Sequence, residues 1–117
     1  LQSGCDVNAI DSFRGHTPLY RAAEKGYLEL ANLLLDNGVN VDIRDTALNT
    51  PLHIAASNGH DLAVAFLLDK GAALEAKDLG GRTALNMSAI NGHNLATRTL
   101  LQRGANPNAR DRDSLTP

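Results

Sequence analysis

The chain has 117 residues, 43% of them hydrophobic but only 3% aromatic, with a formal net charge of −2. That length makes one domain-sized unit, its core must be built from Ala, Leu and Val, and so mild a charge points to neither a nucleic-acid nor a membrane partner. With Cys5 as its single cysteine the chain has no internal disulfide, which favours a reducing, intracellular setting, cytoplasmic or nuclear. No apolar run approaches the roughly 20 residues of a membrane helix, and no signal-peptide pattern opens the chain.

Residues 1–10 read as the remnant of a preceding unit, with Gly4 marking the end of its last helix. From there a helix-start signal recurs every 33 residues, in Thr17-Pro18-Leu19, Thr50-Pro51-Leu52 and Thr83-Ala84-Leu85. Such a period is one supersecondary unit copied along an axis. In the first copy, residues 11–44, Asp11 opens a turn, Gly26 stops a first helix, and Leu34-Leu35 precede a second stop at Gly38. The stretch from Asp11 to Thr17 is one residue longer than Asp45 to Thr50 or Asp78 to Thr83, so this first loop carries an insertion.

The second copy, residues 45–77, is the most regular. Thr50 suits an N-cap, and Pro51 suits the first helical position, where no N–H is needed. Leu52, Ala55 and Ala56 then follow at helical spacing to about Asn58, and Gly59 stops the helix. A second helix is predicted over Asp61 to Asp69, with Leu62, Val64 (or Ala63), Phe66, Leu67 and Leu68 on its apolar side and Gly71 ending it. Ala72 to Arg82 has turn-like alternation and no helical period. The third copy, residues 78–110, repeats the scheme with stops at Gly92 and Gly104, but Ser88 takes an Ala position. Thr97 and Thr99 take the places of Val64 and Phe66, with Arg98 between them. A wetted outer helix of that kind suits a capping repeat, whereas Thr116-Pro117, in residues 111–117, announces a further helix. The chain therefore reads as a segment of a longer array.

Helices this short are marginal alone, and stacked copies bury one another's apolar stripes. The motif Thr50-Pro51-Leu52-His53-Ile54-Ala55-Ala56, followed by Gly59-His60, Leu67-Leu68 and Gly71-Ala72, resembles the ankyrin repeat. The resemblance covers nearly the whole chain. It implies an all-α ankyrin-repeat solenoid of stacked antiparallel helix pairs with projecting β-hairpin or turn fingers, and a concave groove between fingers and first helices that binds proteins. It also implies that His53 hydrogen-bonds within and between copies. Asn86 can partly imitate that histidine, and Tyr20 less readily. Leu48 and Ser114 stand where the finger normally has glycine, as Gly81 does. Either that position needs positive φ and Leu48 is strained by about 1–2 kcal/mol, or its turn has another shape.

No constellation for catalysis stands out. His60 and His93 are equivalent in successive copies and invite comparison with a metal pair, but no Cys or carboxylate cluster completes a site. Ordering of the inter-helix turn explains them better, and His16 and His53 offer no stronger case. Cys5 has no histidine at a recognisable spacing and reads as an ordinary thiol. No G-x-x-x-x-G-K phosphate loop occurs. Neither a cofactor nor a metal is expected. Asn8 and Asn108 match finger asparagines that can be hydroxylated in the family resembled, and Asp42 and Glu75 hold the position in the middle copies; a turn-stabilising role is the simpler reading.

If the solenoid forms, its groove should be lined by Phe13, Arg14, His16, Thr46, Asn49, Leu79 and Arg82 from the fingers. The first helices should add Arg21, Lys25, Ile54, Asn58, Met87, Ile90 and Asn91. Arg14, Arg21, Lys25, Arg82 and Arg112 outnumber Glu24 and Asp113 on this face. The expected partner is thus a protein or peptide with acidic residues and apolar anchors, held by a monomeric, non-enzymatic module. The alternatives are structural spacer repeats in a scaffold and substrate-recruiting repeats beside a catalytic domain.

Overall fold

The computed structural model describes residues 18–107, which form six helices and, among the described residues, no strand. They are α1 (Pro18–Lys25), α2 (Leu28–Asp36), α3 (Pro51–Ser57), α4 (Asp61–Asp69), α5 (Ala84–Ile90) and α6 (Asn94–Gln102). Each odd-numbered helix packs on the even-numbered one that follows, and α3 lies between α1 and α5. In the second layer α4 lies close beside α6, while α2 and α4 approach less closely.

The inner helices α3 and α5 start on Thr. The Thr50 hydroxyl oxygen accepts the His53 backbone N–H at 3.3 Å, and His53 Nδ1 accepts the Thr50 backbone N–H at 3.1 Å. This reciprocal cap satisfies two donors that the first helical turn leaves orphaned. Thr83 and Asn86 make the same cap, Asn86 Oδ1 accepting the Thr83 N–H at 2.9 Å. Asparagine thus substitutes for histidine there, and α5 starts on schedule although Ala84 replaces proline.

Glycine ends the helices for two separable reasons. Gly26, Gly59 and Gly92 have φ of 74, 73 and 72°, a left-handed conformation that side chains resist. At Gly59 there is also no room, since an added Cβ would lie 2.7 Å from Nδ1 of His93; at Gly26 it would lie 3.0 Å from Nδ1 of His60. The imidazole of each later copy thus sits against the turn of the copy before it.

Small residues make the stacking possible. Ala23, Ala55, Ala56, Ala84 and Ala96 are buried between helices, with Leu52, Leu67, Leu85 and Leu100 filling the larger spaces. A second cluster, Leu19, Ala22, Ala31, Leu34 and Val39, holds the first copy together, and Phe66 of α4 packs against it. The apolar stripe of α4 needs one correction. Its buried residues are Ala63, Val64 and Leu67, whereas Leu62 is 68% exposed. At about 100° per residue, Leu62 points almost opposite the mean direction of those three.

Carboxylates stitch the copies together at the base of the loops. Asp42 Oδ1 accepts the Ala73 N–H at 2.9 Å, and Glu75 Oε2 accepts the Asn106 N–H at 2.8 Å. The position compared with modifiable asparagines therefore carries an inter-copy tie in the middle of the chain; Asn8 and Asn108 lie outside the described residues.

Candidate partner-binding face

The inner helices α1, α3 and α5 stand side by side, so their unburied positions form one surface. Arg21, Glu24 and Lys25 come from the first copy, Ile54, Ser57 and Asn58 from the second, and Met87, Ile90 and Asn91 from the third. The layer is tied laterally by Asn91, whose Nδ2 donates to Ser57 Oγ at 3.0 Å. Its chemistry changes along the stack. The first copy presents charge, with Arg21 Nη1 at 3.4 Å from Glu24 Oε1. The third presents Ile90, which is 53% exposed.

Two loop fingers border this layer. In the first, Asp45 Oδ1 accepts the backbone N–H groups of Ala47 and Asn49 at 2.8 and 2.9 Å. In the second, Asp78 Oδ1 accepts those of Gly80 and Arg82, both at 2.9 Å. This explains the aspartates that open the second and third copies: a side chain replaces the missing backbone acceptor of a tight turn. The tips are joined directly, the Leu79 N–H donating to the Ala47 carbonyl at 2.9 Å.

His53 links helix to finger. Its Nε2 donates to the Arg82 carbonyl at 2.8 Å, one copy along, while Nδ1 accepts at the Thr50 cap. Those roles define a neutral ring protonated on Nε2. Burial pushes its pKa below the ordinary 6.5, against the opposing pull of the Arg82 carbonyl. His60 has a different duty, donating from Nε2 to the Glu24 carbonyl at 2.9 Å. Among the described residues, no three His, Cys, Asp or Glu side chains gather as a metal site.

This architecture of capped inner helix, glycine turn, outer helix and aspartate-pinned finger is matched in known proteins. Residues 46–111 match a family model described as ankyrin repeats in three copies, and residues 19–63 match one described as ankyrin repeats in many copies. The chain belongs to the ankyrin-repeat family. Over 43 residues it is also 44% identical to the E3 ubiquitin-protein ligase mind-bomb of Drosophila melanogaster. That stretch is 37% of this chain and 4% of the ligase, so the chain spans a small fraction of this relative.

Within the ankyrin frame the described residues of the expected face differ in exposure. Arg21, Lys25, Thr46, Asn58, Leu79, Ile90 and Asn91 are exposed. Ile54 and Met87 are half-buried, and Ile54 packs against the core cluster beneath it. Asn49 and Arg82 are half-buried in their fingers, where Asn49 Nδ2 lies 3.5 Å from Asp45 Oδ2 and the Arg82 guanidinium folds back over Gly80. Phe13, Arg14 and His16 lie outside the described residues.

One contributor escaped the sequence reading. Arg44 Nη1 donates to the Leu48 carbonyl at 2.8 Å and to the Lys77 carbonyl at 2.7 Å, bracing one ankyrin finger against the next. Its signal was present, since a basic residue precedes the turn aspartate in Arg44-Asp45, Lys77-Asp78 and Arg110-Asp111. Among the described residues, no helix is long and apolar enough to cross a membrane.

Proposed function

We propose that residues 1–117 act as one non-enzymatic protein-interaction unit whose inner-helix and finger surface receives a partner protein or peptide in an intracellular compartment. The observation that carries this reading is the exposure of Leu79 and Ile90, at 55% and 53%, on a finger and an inner helix held by backbone and cap hydrogen bonds. Such pre-ordered apolar groups bind with little ordering cost on their own side and suit anchor contacts. Arg21 and Lys25 at the other end of the same face favour a partner that also carries acidic residues.

The test is affinity capture from cell lysate, with the chain beside its Leu79→Ser/Ile90→Asp variant and captured proteins identified by mass spectrometry. We expect a protein held by the first and lost by the second, with circular dichroism unchanged and affinity falling as salt rises. Equal capture by both would move the site elsewhere.

The likeness to part of an E3 ubiquitin-protein ligase favours a specific form of this function. The repeats would then recruit substrate for a catalytic region elsewhere in a larger protein. Captured proteins that also serve as ubiquitylation substrates of that larger protein would support it.

A further inference from the structure

Asparagine followed by glycine occurs at three places, Asn37-Gly38, Asn58-Gly59 and Asn91-Gly92. The pair is chemically labile, because glycine has no side chain to shield its backbone nitrogen from the neighbouring amide carbon. In each pair the asparagine closes a helix, α2, α3 or α5, and the glycine follows at positive φ. The asparagine ψ angles are 13, 3 and 3°. Values near zero turn Cβ away from the glycine nitrogen, whereas closing a five-membered ring needs the two eclipsed. Each glycine N–H is also engaged. Gly38 and Gly59 donate to the Leu35 and Ala56 carbonyls, and Gly92 to that of Ala89, all at 3.1 Å. The intact helix end therefore blocks cyclisation, and reaction requires that end to open.

What differs is the brace from outside the helix. At Gly59 the His93 ring is so close that an added Cβ would lie 2.7 Å from its Nδ1. Asn91 is tied to the second copy, its Nδ2 donating to Ser57 Oγ at 3.0 Å. Asn37 has one side-chain bond among the described residues, to the Leu33 carbonyl of its own helix at 2.7 Å. No described atom lies within 4 Å of where a Cβ on Gly38 would stand, and both Asn37 and Gly38 are exposed.

We infer that Asn37-Gly38 is a site of spontaneous deamidation that loosens the first copy. When the end of α2 opens, the Gly38 nitrogen bonds to Asn37 Cγ, the Cγ–Nδ2 bond breaks, and ammonia leaves with the proton from that nitrogen. Water then adds to one of the two imide carbonyls and breaks its bond to nitrogen, giving aspartate or isoaspartate. Either product places a carboxylate where α4 and α6 end on Lys70 and Arg103. An anion at a helix C-terminus opposes the macrodipole, whereas a cation complements it, and Asp36 stands beside it. The carboxylate can no longer donate to the Leu33 carbonyl. The isoaspartate form also adds a methylene to the backbone just before Gly38, whose φ is 91°. The modified end does not close as before, so the reaction runs one way.

The experiment incubates the 117-residue chain in mildly alkaline buffer, both folded and in denaturing urea. Deamidation at each asparagine is followed by peptide mass spectrometry, and isoaspartate by enzymatic carboxyl methylation. In the folded chain Asn37 should react roughly fivefold faster than Asn58 or Asn91, the worth of about one net hydrogen bond in the opening equilibrium. In urea the three rates should converge, and Asn37 should react faster than when folded. The aged folded chain should lose hydrogen-exchange protection at the C-terminal end of α2. Asn37→Asp should lower the folding constant roughly fivefold, and Asn37→Lys should change it by less than about twofold. The rates are read on the native sequence, so they stand whatever Asn37→Asp does to folding. Equal rates at the three sites in the folded chain, or a lead for Asn58 or Asn91, would overturn the assignment. An Asn37 rate unchanged by urea would overturn it as well, and full modification that leaves α2 protected would remove the loosening.

Discussion

At His53 one imidazole serves the cap of α3 and the bond to the next finger, and both uses require the neutral ring. Protonation would turn Nδ1 into a donor facing the Thr50 N–H, at 3.1 Å. Burial lowers the pKa from its ordinary 6.5, so the unfolded chain takes up the proton first as pH falls. The sign follows from linkage: this contribution is fully present above pH 6.5 and is lost as pH drops toward the lowered folded value. Urea midpoints should therefore fall from pH 7.5 to pH 5. His53→Asn, which keeps a cap of the kind Asn86 already makes, should lose much of that dependence. A midpoint equally acid-sensitive in both proteins would remove His53 from the account. Leu48 gives a second prediction at this scale. Its φ is 63°, where Gly81 in the next finger has 78°. Relief of about 1–2 kcal/mol of strain exceeds the added backbone entropy of glycine, roughly 0.5–1 kcal/mol. Leu48→Gly should raise stability by about 0.5 kcal/mol, readable as a higher urea midpoint with unchanged slope.

Among the helices, the third pair shows how a copy can depart from its neighbours without failing. Ser88 and Thr97 stand where the second copy has Ala55 and Val64. Taken singly, each looks like polar damage to a core, and the sequence pattern suggested a capping repeat. In the fold they face each other across the α5–α6 pair, their hydroxyl oxygens 2.9 Å apart. Ser88 also donates to the Leu85 carbonyl, at 3.1 Å. Thr97 has its own backbone acceptor, the His93 carbonyl at 2.9 Å, so removing one hydroxyl costs the bond between the two, whereas removing both can be neutral or favourable. Ser88→Ala alone should cost about 1 kcal/mol. The Ser88→Ala/Thr97→Val pair should restore wild-type stability or exceed it. Additive losses in a double-mutant cycle would show that the hydroxyls act independently.

For the whole molecule, stability is a sum of copies and of interfaces between neighbours. The described helices touch chiefly within a pair or between adjacent pairs, and α3 alone among the inner helices has an inner helix on each side. Native-state hydrogen exchange should therefore find its slowest amides in α3 and α4, with α1–α2 and α6 opening at lower free energy. Uniform protection across all six helices would mean that the stack opens only as a unit.

Much of this protein was legible because its signals are local. A Thr-Pro pair, a glycine needing positive φ and an aspartate pinning a turn act within a few residues, and the 33-residue period repeats each signal until coincidence is excluded. The start of α3, the bounds of α4 and the glycine stops followed from such signals alone, whereas the positive φ of Leu48 was one of two readings its turn left open. Relations across copies were decided only by packing. The outward turn of Leu62, the pairing of Ser88 with Thr97 and the reach of Arg44 to the Lys77 carbonyl depend on the rotation and spacing of stacked helices. Helical periodicity shows that a stripe will be buried, but the neighbours it meets set which positions bear the contact.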